Sequence, residues 1–303
     1  MKTRILFFVL MFTGVVSYAQ QDAQFTQYMY NTININPAYA GSRGALSIFG
    51  LHRTQWVGLE GAPTTNAFSV NTPINNSNLG LGVSFLNDKI GPVNENNISV
   101  DLSYTVKTSE TFKLSFGLKA NANLFNLDAN KLNPVDPADD HLQDVSNKFS
   151  PNFGAGVYWH SDKFYAGLSV PNFLQQKAYT DNDYSVSEEK MNFYFITGYV
   201  FDLSPNLKFK PALLTKMVAG APLQVDVSGN FLIADKFVLG AAYRWSAALS
   251  AMAGFQVTDG LYIGYAYDRE TTELKNYNSG SHEIFLRFEL FNNVDRITTP
   301  RFF

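Results

Sequence analysis

No cysteine occurs in this chain, which excludes disulfide staples, thiolate metal sites and a cysteine nucleophile together. Charge is scarce too: 16% of residues are Asp, Glu, Lys or Arg, against about 25% in an ordinary soluble domain. The four histidines, His52, His141, His160 and His282, show no i, i+4 pair around a glutamate, the spacing a metalloprotease helix needs. The pattern G-x-S-x-G is absent, and Gly80-Leu81-Gly82 falls inside a strand pattern rather than a phosphate-binding turn. The acidic stretch Asp136 to Asp144 lacks the glycine and terminal glutamate of a calcium loop and reads as a solvated loop tip. No catalytic centre, cofactor or metal is therefore expected. Beyond the amino terminus there is no run of 18 apolar residues, so helical membrane spans are excluded.

What is abundant is aromatic surface, with 26 Phe and 16 Tyr in 303 residues. The start of the chain says where such a surface belongs. Lys2 and Arg4 precede the apolar run Ile5 to Phe12, and Ser17-Tyr18-Ala19 supplies small residues, so residues 1–19 read as a signal peptide cleaved after Ala19. The apolar run is about half as long as a spanning helix requires. Removing Lys2 and Arg4 takes the formal charge from −3 to about −5, and nothing points to nucleic acid.

The remainder alternates with period 2, the strand signature. In "TFKLSFGLKANANLF", Phe112, Leu114, Phe116, Leu118, Ala120, Ala122 and Leu124 share one face, and Lys113, Ser115, Gly117, Lys119, Asn121 and Asn123 the other. About 14 such stretches run from 44–56 to 281–290. The connections sort by parity. Those at 73–77, 108–110, 161–163, 204–206, 234–236 and 258–260 are short turns, whereas the alternate ones at 57–63, 87–94, 125–149, 172–190 and 270–280 are long, with two exceptions near 220 and 246 that are tight. Short periplasmic turns and long outer loops characterise a transmembrane antiparallel β-barrel. Trp56, Trp159 and Trp245 fall at strand ends, as an aromatic girdle requires. A soluble β-sandwich also alternates, but its outer face would be polar and its loops would not sort by length.

The predicted organisation is a periplasmic amino-terminal segment at 20–43, which either lies along the periplasmic rim or plugs the lumen, an all-β outer-membrane barrel at 44–290 and a periplasmic carboxy-terminal tail at 291–303. Apolar beats face lipid and polar beats face a hydrated lumen. Asp101, Lys107, Lys113, Lys119, Lys208, Lys210, Asp226, Arg244, Glu283, Arg287 and Glu289 fall on the lumen face. Their mixed signs predict interstrand pairing rather than an ion-selective ring.

Two segments go beyond this pattern: "QDAQFTQYMYNTININPAYAGSRG" before the first strand, and the loop "LHRTQWVGLEGAPTT", stiffened by Gly58, Gly61 and Pro63. With "LGLGVSFLNDKIGPV" and the terminal "PRFF", they make the chain closely resemble the PorP/SprF family of the type IX secretion system, which also serves gliding adhesins. The resemblance covers essentially the whole mature chain and implies a 14-stranded, non-enzymatic barrel. Its implied partner is a large secreted surface protein, met through that protein's carboxy-terminal sorting domain, with other type IX secretion subunits on the periplasmic side. Arg53, Gln55, Trp56, Gly58, Gly61 and Pro63 match the family's outer-loop motif. Asn36, Pro37, Ala38, Tyr39, Ala40 and Gly41 match its amino-terminal motif. Placing the partner on the outer rim, against the first set, is an expectation from loop rigidity. The rivals are a passive or hydrophobic-solute channel and an outer-membrane hydrolase.

Overall fold

The computed structural model describes residues 25–75, 77–132, 144–177 and 188–290. The signal peptide, residues 136–143 of the acidic stretch and the tail at 291–303 lie outside them. The strands are β1 Leu46–Thr54, β2 Thr64–Pro73, β3 Leu79–Ile90, β4 Val93–Lys107, β5 Lys113–Leu127, β6 Val145–His160 and β7 Phe164–Val170. β8 is Asn192–Tyr199, continued past Val200 as Phe201–Ser204. Then come β9 Leu207–Val218, β10 Gln224–Ile233, β11 Phe237–Arg244, β12 Ala248–Gln256, β13 Leu261–Glu270 and β14 Ser281–Leu290.

Each strand pairs antiparallel with its sequence neighbours, and β1 closes on β14 in register from Leu46↔Leu290 to Thr54↔His282. The result is a closed 14-stranded all-β barrel. Closure leaves no open sheet edge for hydrocarbon to meet. Val83, Phe85, Val100, Leu102, Phe116 and Leu118 are exposed on the outer face, while Ser84, Ser99, Asp101, Ser103, Ser115 and Lys119 are buried on the inner one. The alternation thus sorts lipid-facing from lumen-facing side chains as expected.

The predicted boundaries fail at two places. The stretch 87–94, expected to be a loop, is mostly strand: β3 continues to Ile90 and β4 resumes at Val93, leaving only Gly91 and Pro92 as a turn. The 125–149 loop is likewise shortened at both ends. Here the outward beats become amides, so the apolar period vanishes while backbone pairing continues. Asn87 Nδ2 donates to Asn94 Oδ1 at 2.7 Å and Asn96 Oδ1 at 2.9 Å, and Asn66 and His52 extend the ladder at 3.3 and 2.8 Å. This polar belt marks the long-loop edge of the apolar band. At the short-turn edge, Trp159 stacks on Phe112 and packs edge-on to Phe164, at 4.7 and 5.4 Å between ring centroids.

The lumen is not a hydrated passage. Phe49, Leu51, Tyr158, Tyr165, Tyr262 and Phe285 all occupy inward beats and are buried, because residues 25–43 run through the barrel and pack on them. The expectation of a periplasmic segment at 20–43 is corrected for the described residues: from Phe25 onward this stretch is a lumen plug. Its physical reason is solvation, since Phe25, Tyr28, Met29, Tyr30 and Ile33 have no apolar surface to cover outside the barrel. Lys107 and Lys113, assigned to the lumen face, instead stand exposed at the short-turn rim.

Candidate functional site

The plug is built from three single 3₁₀ turns, Tyr28–Tyr30, Thr32–Asn34 and Pro37–Tyr39. Asn36 caps the last, its Oδ1 accepting from Ala38 N at 3.0 Å, with Pro37 at the first helical position where no amide donor is needed. The other end of the Asn36 amide donates to Val157 O at 3.1 Å on β6. Ser103 on β4 donates to Ala40 O at 2.7 Å, Ser169 on β7 to Ile35 O at 2.6 Å, and Ser69 on β2 to Asn31 Oδ1 at 3.0 Å. The plug's backbone polar groups, which an apolar lumen would leave unsatisfied, are thereby met by the walls.

Glycine makes the room. A methyl group at Gly117 would overlap the amide nitrogen of Ala38, one at Gly80 the carbonyl oxygen of Ala40, and one at Gly156 the side-chain oxygen of Asn36. Asn36 to Gly41 therefore lie against a wall stripped of side chains on β3, β5 and β6. Gly41 itself has φ +70° and packs against β2, where an added Cβ would approach Pro73 Cα to 2.9 Å. All six residues of the amino-terminal motif are thus placed as docking elements within the barrel.

Charges knit both ends. Near the long loops, Arg53 on β1 meets Asp268 on β13 at 2.7 Å and Glu283 on β14 at 3.1 Å, and donates to Thr26 Oγ1 at 2.9 Å. Glu283 uses its two oxygens to accept the amides of Thr26 and Gln27, both at 2.9 Å. Arg244 bonds Asp226 at 2.8 Å and the Phe25 carbonyl at 3.2 Å. Midway, Tyr30 shares a 3.0 Å hydroxyl contact with Tyr262, under the Arg287 guanidinium 5.1 Å from the Tyr262 ring. Lys119 pairs with Asp101 at 2.8 Å and reaches Ile33 O at 3.4 Å. At the short-turn end Arg43 pairs with Glu289. The expected interstrand pairing of lumen charges is present, but in a packed interior.

The outer-loop motif divides. Arg53 is 2% exposed, so the expectation that it contacts a partner on the rim is corrected: its parity on β1 turns it inward with Phe49 and Leu51, onto the plug. The other residues shape the loop. Gln55 N donates to Pro63 O at 2.9 Å, closing its base. Trp56 adopts φ 47°, sparsely populated for a bulky residue, with its indole donating to Glu270 at 2.9 Å and its amide to Ser281 Oγ at 3.2 Å. Val57 pairs with Ser279 and Gly280 of the 271–280 loop, and Gly61 O accepts from Gly91 N at 2.9 Å. Gly58 and Gly61, at φ 101° and 72°, lie exposed with Glu60 between them, whereas Pro63 is buried.

The residues that sequence reasoning missed are Thr26, Asp268 and the glycines 80, 117 and 156. The signal for them was present: an aromatic such as Tyr158 or Phe285 on a wet beat demands an apolar partner within the lumen. Among the described residues, no group of three or more His, Asp or Glu side chains is placed to hold a metal ion.

The family model described as type IX secretion system membrane protein PorP/SprF matches residues 17–288. The chain belongs to the PorP/SprF family. No curated protein sequence matches this PorP/SprF chain. Among solved structures, the fold is similar to the outer membrane protein Omp33 of Acinetobacter baumannii, at TM-score 0.51 and 8% identity over 81% of this chain and 98% of that one. It is similar also to CymD, described as a monoaromatic hydrocarbon channel, at TM-score 0.50 and 11% identity over 91% and 95% of the two chains. These likenesses establish an outer-membrane barrel fold for this PorP/SprF protein.

Proposed function

We propose that this barrel is a non-enzymatic outer-membrane component of type IX protein secretion. In this reading it supports export or surface anchoring of a large secreted, adhesin-like protein by binding that protein's carboxy-terminal sorting domain at the long-loop rim. The observation that carries the reading is the filled lumen. Met29 and Ala38 are wholly buried at 0% exposure, and a polypeptide could pass only if the plug left its bonds to strands around the whole ring. The surface left to a partner is the rim, where the loop at 55–63 is fastened to both neighbouring loops and is therefore pre-organised for binding. Long loops facing outward agree with this placement.

CymD is a channel by description, and a channel for solutes or hydrophobic compounds is the rival reading. The packed lumen weighs against it. A mild-detergent pull-down of the tagged protein from its native outer membrane, followed by mass spectrometry, separates the two. We expect one large surface protein, retained through its carboxy-terminal domain and lost when Gly58-Leu59-Glu60-Gly61 is replaced by an unrelated loop. Recovery of periplasmic secretion subunits alone would make the protein a core part of the machine. A partnerless barrel with steady conductance in planar bilayers would overturn the proposal in favour of the channel.

A further inference from the structure

Toward the long loops, the outward beats of β1 to β4 change character together. Phe68, Phe85 and Ile98 stand side by side in register as the last apolar row, exposed to lipid. The next row is His52, Asn66, Asn87 and Asn96, and the one beyond it is Thr54, Thr64, Lys89 and Asn94. Neither row contains an acid. Asp88 and Glu95, at the same height, take inward beats, where they accept from Thr65 at 2.6 Å and from Asn123 at 3.4 Å. This part of the sheet therefore turns donors outward and keeps its carboxylates inside.

The amide relay also has a sense. Asn66 Nδ2 donates to Asn87 Oδ1, and Asn87 Nδ2 donates to the side-chain oxygens of Asn94 and Asn96. The oxygens of that last pair are used within the relay, which leaves their N–H groups for an acceptor outside it. Exposed Lys89 lies directly across from Asn94 in register and adds an ammonium to the same corner. Height places these groups. At about 3.3 Å per residue and a tilt of about 40°, the two polar rows stand about 5 and 10 Å above Phe85. A head-group layer is about 5–7 Å thick on each side of the hydrocarbon, so the first row lies within it and Lys89 reaches past it. Across the ring, exposed Tyr243 and Trp245 hold the outer end of β11 as an aromatic girdle does. On β1 to β4 amides stand in the girdle's place.

We propose that the outward polar rows of β1 to β4 bind the head group of a glycolipid. Sugar hydroxyls meet the asparagine ladder, a phosphate meets Asn94, Asn96 and Lys89, and the acyl chains continue down Phe68, Phe85 and Ile98. The face is continuous with the lipid-facing band, its donors and ammonium complement a phosphate, and it stands taller than a phospholipid head group covers. That it lies in the outer leaflet rests on the long-loop orientation adopted under the proposed function.

The test uses the full-length protein in nanodiscs of phosphatidylcholine doped with lipid A or, as a charge control, with phosphatidylglycerol, and counts retained lipid by native mass spectrometry. We expect lipid A to be retained over phosphatidylglycerol. Its affinity should fall about tenfold in the triple variant Asn66→Ala, Asn87→Ala, Asn96→Ala, the loss of one or two net hydrogen bonds. Lys89→Gln, a single exposed change that serves also if the triple variant fails to fold, should narrow the preference for bisphosphorylated over monophosphorylated lipid A. Equal retention of the two lipids, unchanged affinity in folded variants, or a second copy of the barrel seated on this face in place of lipid would each overturn the proposal. Orientation is read separately, because the chain has no cysteine and Glu60→Cys reports whether an impermeant maleimide reaches the long loops on intact cells. Failure to retain lipid A with Glu60→Cys labelled overturns this proposal alone; labelling only after permeabilisation overturns the outer-leaflet placement together with the rim reading.

Discussion

Replacing Arg53 by alanine distinguishes a plug anchor from a partner contact. The guanidinium is the shared counter-ion of Asp268 and Glu283, at 2.7 and 3.1 Å, and all three side chains are at most 2% exposed. Its loss leaves two carboxylates facing one another in a packed interior and removes the bond to Thr26 Oγ1. Deleting one partner of a buried pair typically costs about 3–5 kcal/mol, because the remaining charge stays buried and unpaired. At roughly 1.4 kcal/mol per tenfold change, this lowers the ratio of docked to undocked plug by about two to four powers of ten. The assay is protease cutting within residues 25–35 of the purified barrel in detergent, read by mass spectrometry together with the thermal midpoint. Arg53→Ala should be cut far faster than the parent. The triple variant Arg53→Met, Asp268→Asn, Glu283→Gln removes the charges together and should recover most of the protection. If Arg53→Ala kept its plug protected and its midpoint unchanged but lost the partner, the anchor argument would be refuted and Arg53 would be a contact residue after all.

Gly117→Ala places a methyl group on the Ala38 amide and should cost about 1–3 kcal/mol by overpacking, seen as a lower melting midpoint. Gly50→Ala, with no atom within 4 Å of the new carbon, should stay within about 0.5 kcal/mol. Lys119→Met strands Asp101 inside the barrel and should destabilise by about 3–5 kcal/mol; adding Asp101→Leu should restore most of the midpoint, and failure to do so would mean the pair is not isolated. Trp56→Phe removes the indole donor to Glu270 for about 1 kcal/mol, and partner capture should persist. Lost capture without lost stability would make the Trp56 ring a contact.

The strands were legible because lipid imposes a period. Residues such as Leu102, Phe116 and Leu118 have one beat they are allowed to occupy, so the alternation of β4 and β5 states the fold directly. Legibility ends where lipid ends: above the Asn66–Asn87–Asn96 ladder both faces are polar, and β3 and β4 continue unseen in a hydropathy pattern. Whether 20–43 plugs the lumen or follows the rim stayed undecided in the sequence for a different reason. The plug's 3₁₀ turns follow no apolar period, since the segment is covered from every side and has no wet face to alternate with. Arg53 was misplaced by its neighbours in sequence, Gln55 and Trp56, when its parity with Phe49 and Leu51 already turned it inward. The rim loop was legible as rigid, because Gly58, Gly61 and Pro63 specify backbone shape whatever the fold around them.

The latch on Thr26 and Gln27 joins the first described residues to the last strand of the barrel. Glu283, Arg287 and Glu289 all lie on β14, so until that strand arrives the amides of Thr26 and Gln27 lack their carboxylate and Arg43 lacks the Glu289 counter-ion. Ring closure and plug seating are therefore coupled, since the strand that closes on β1 also completes the grip on both ends of the plug.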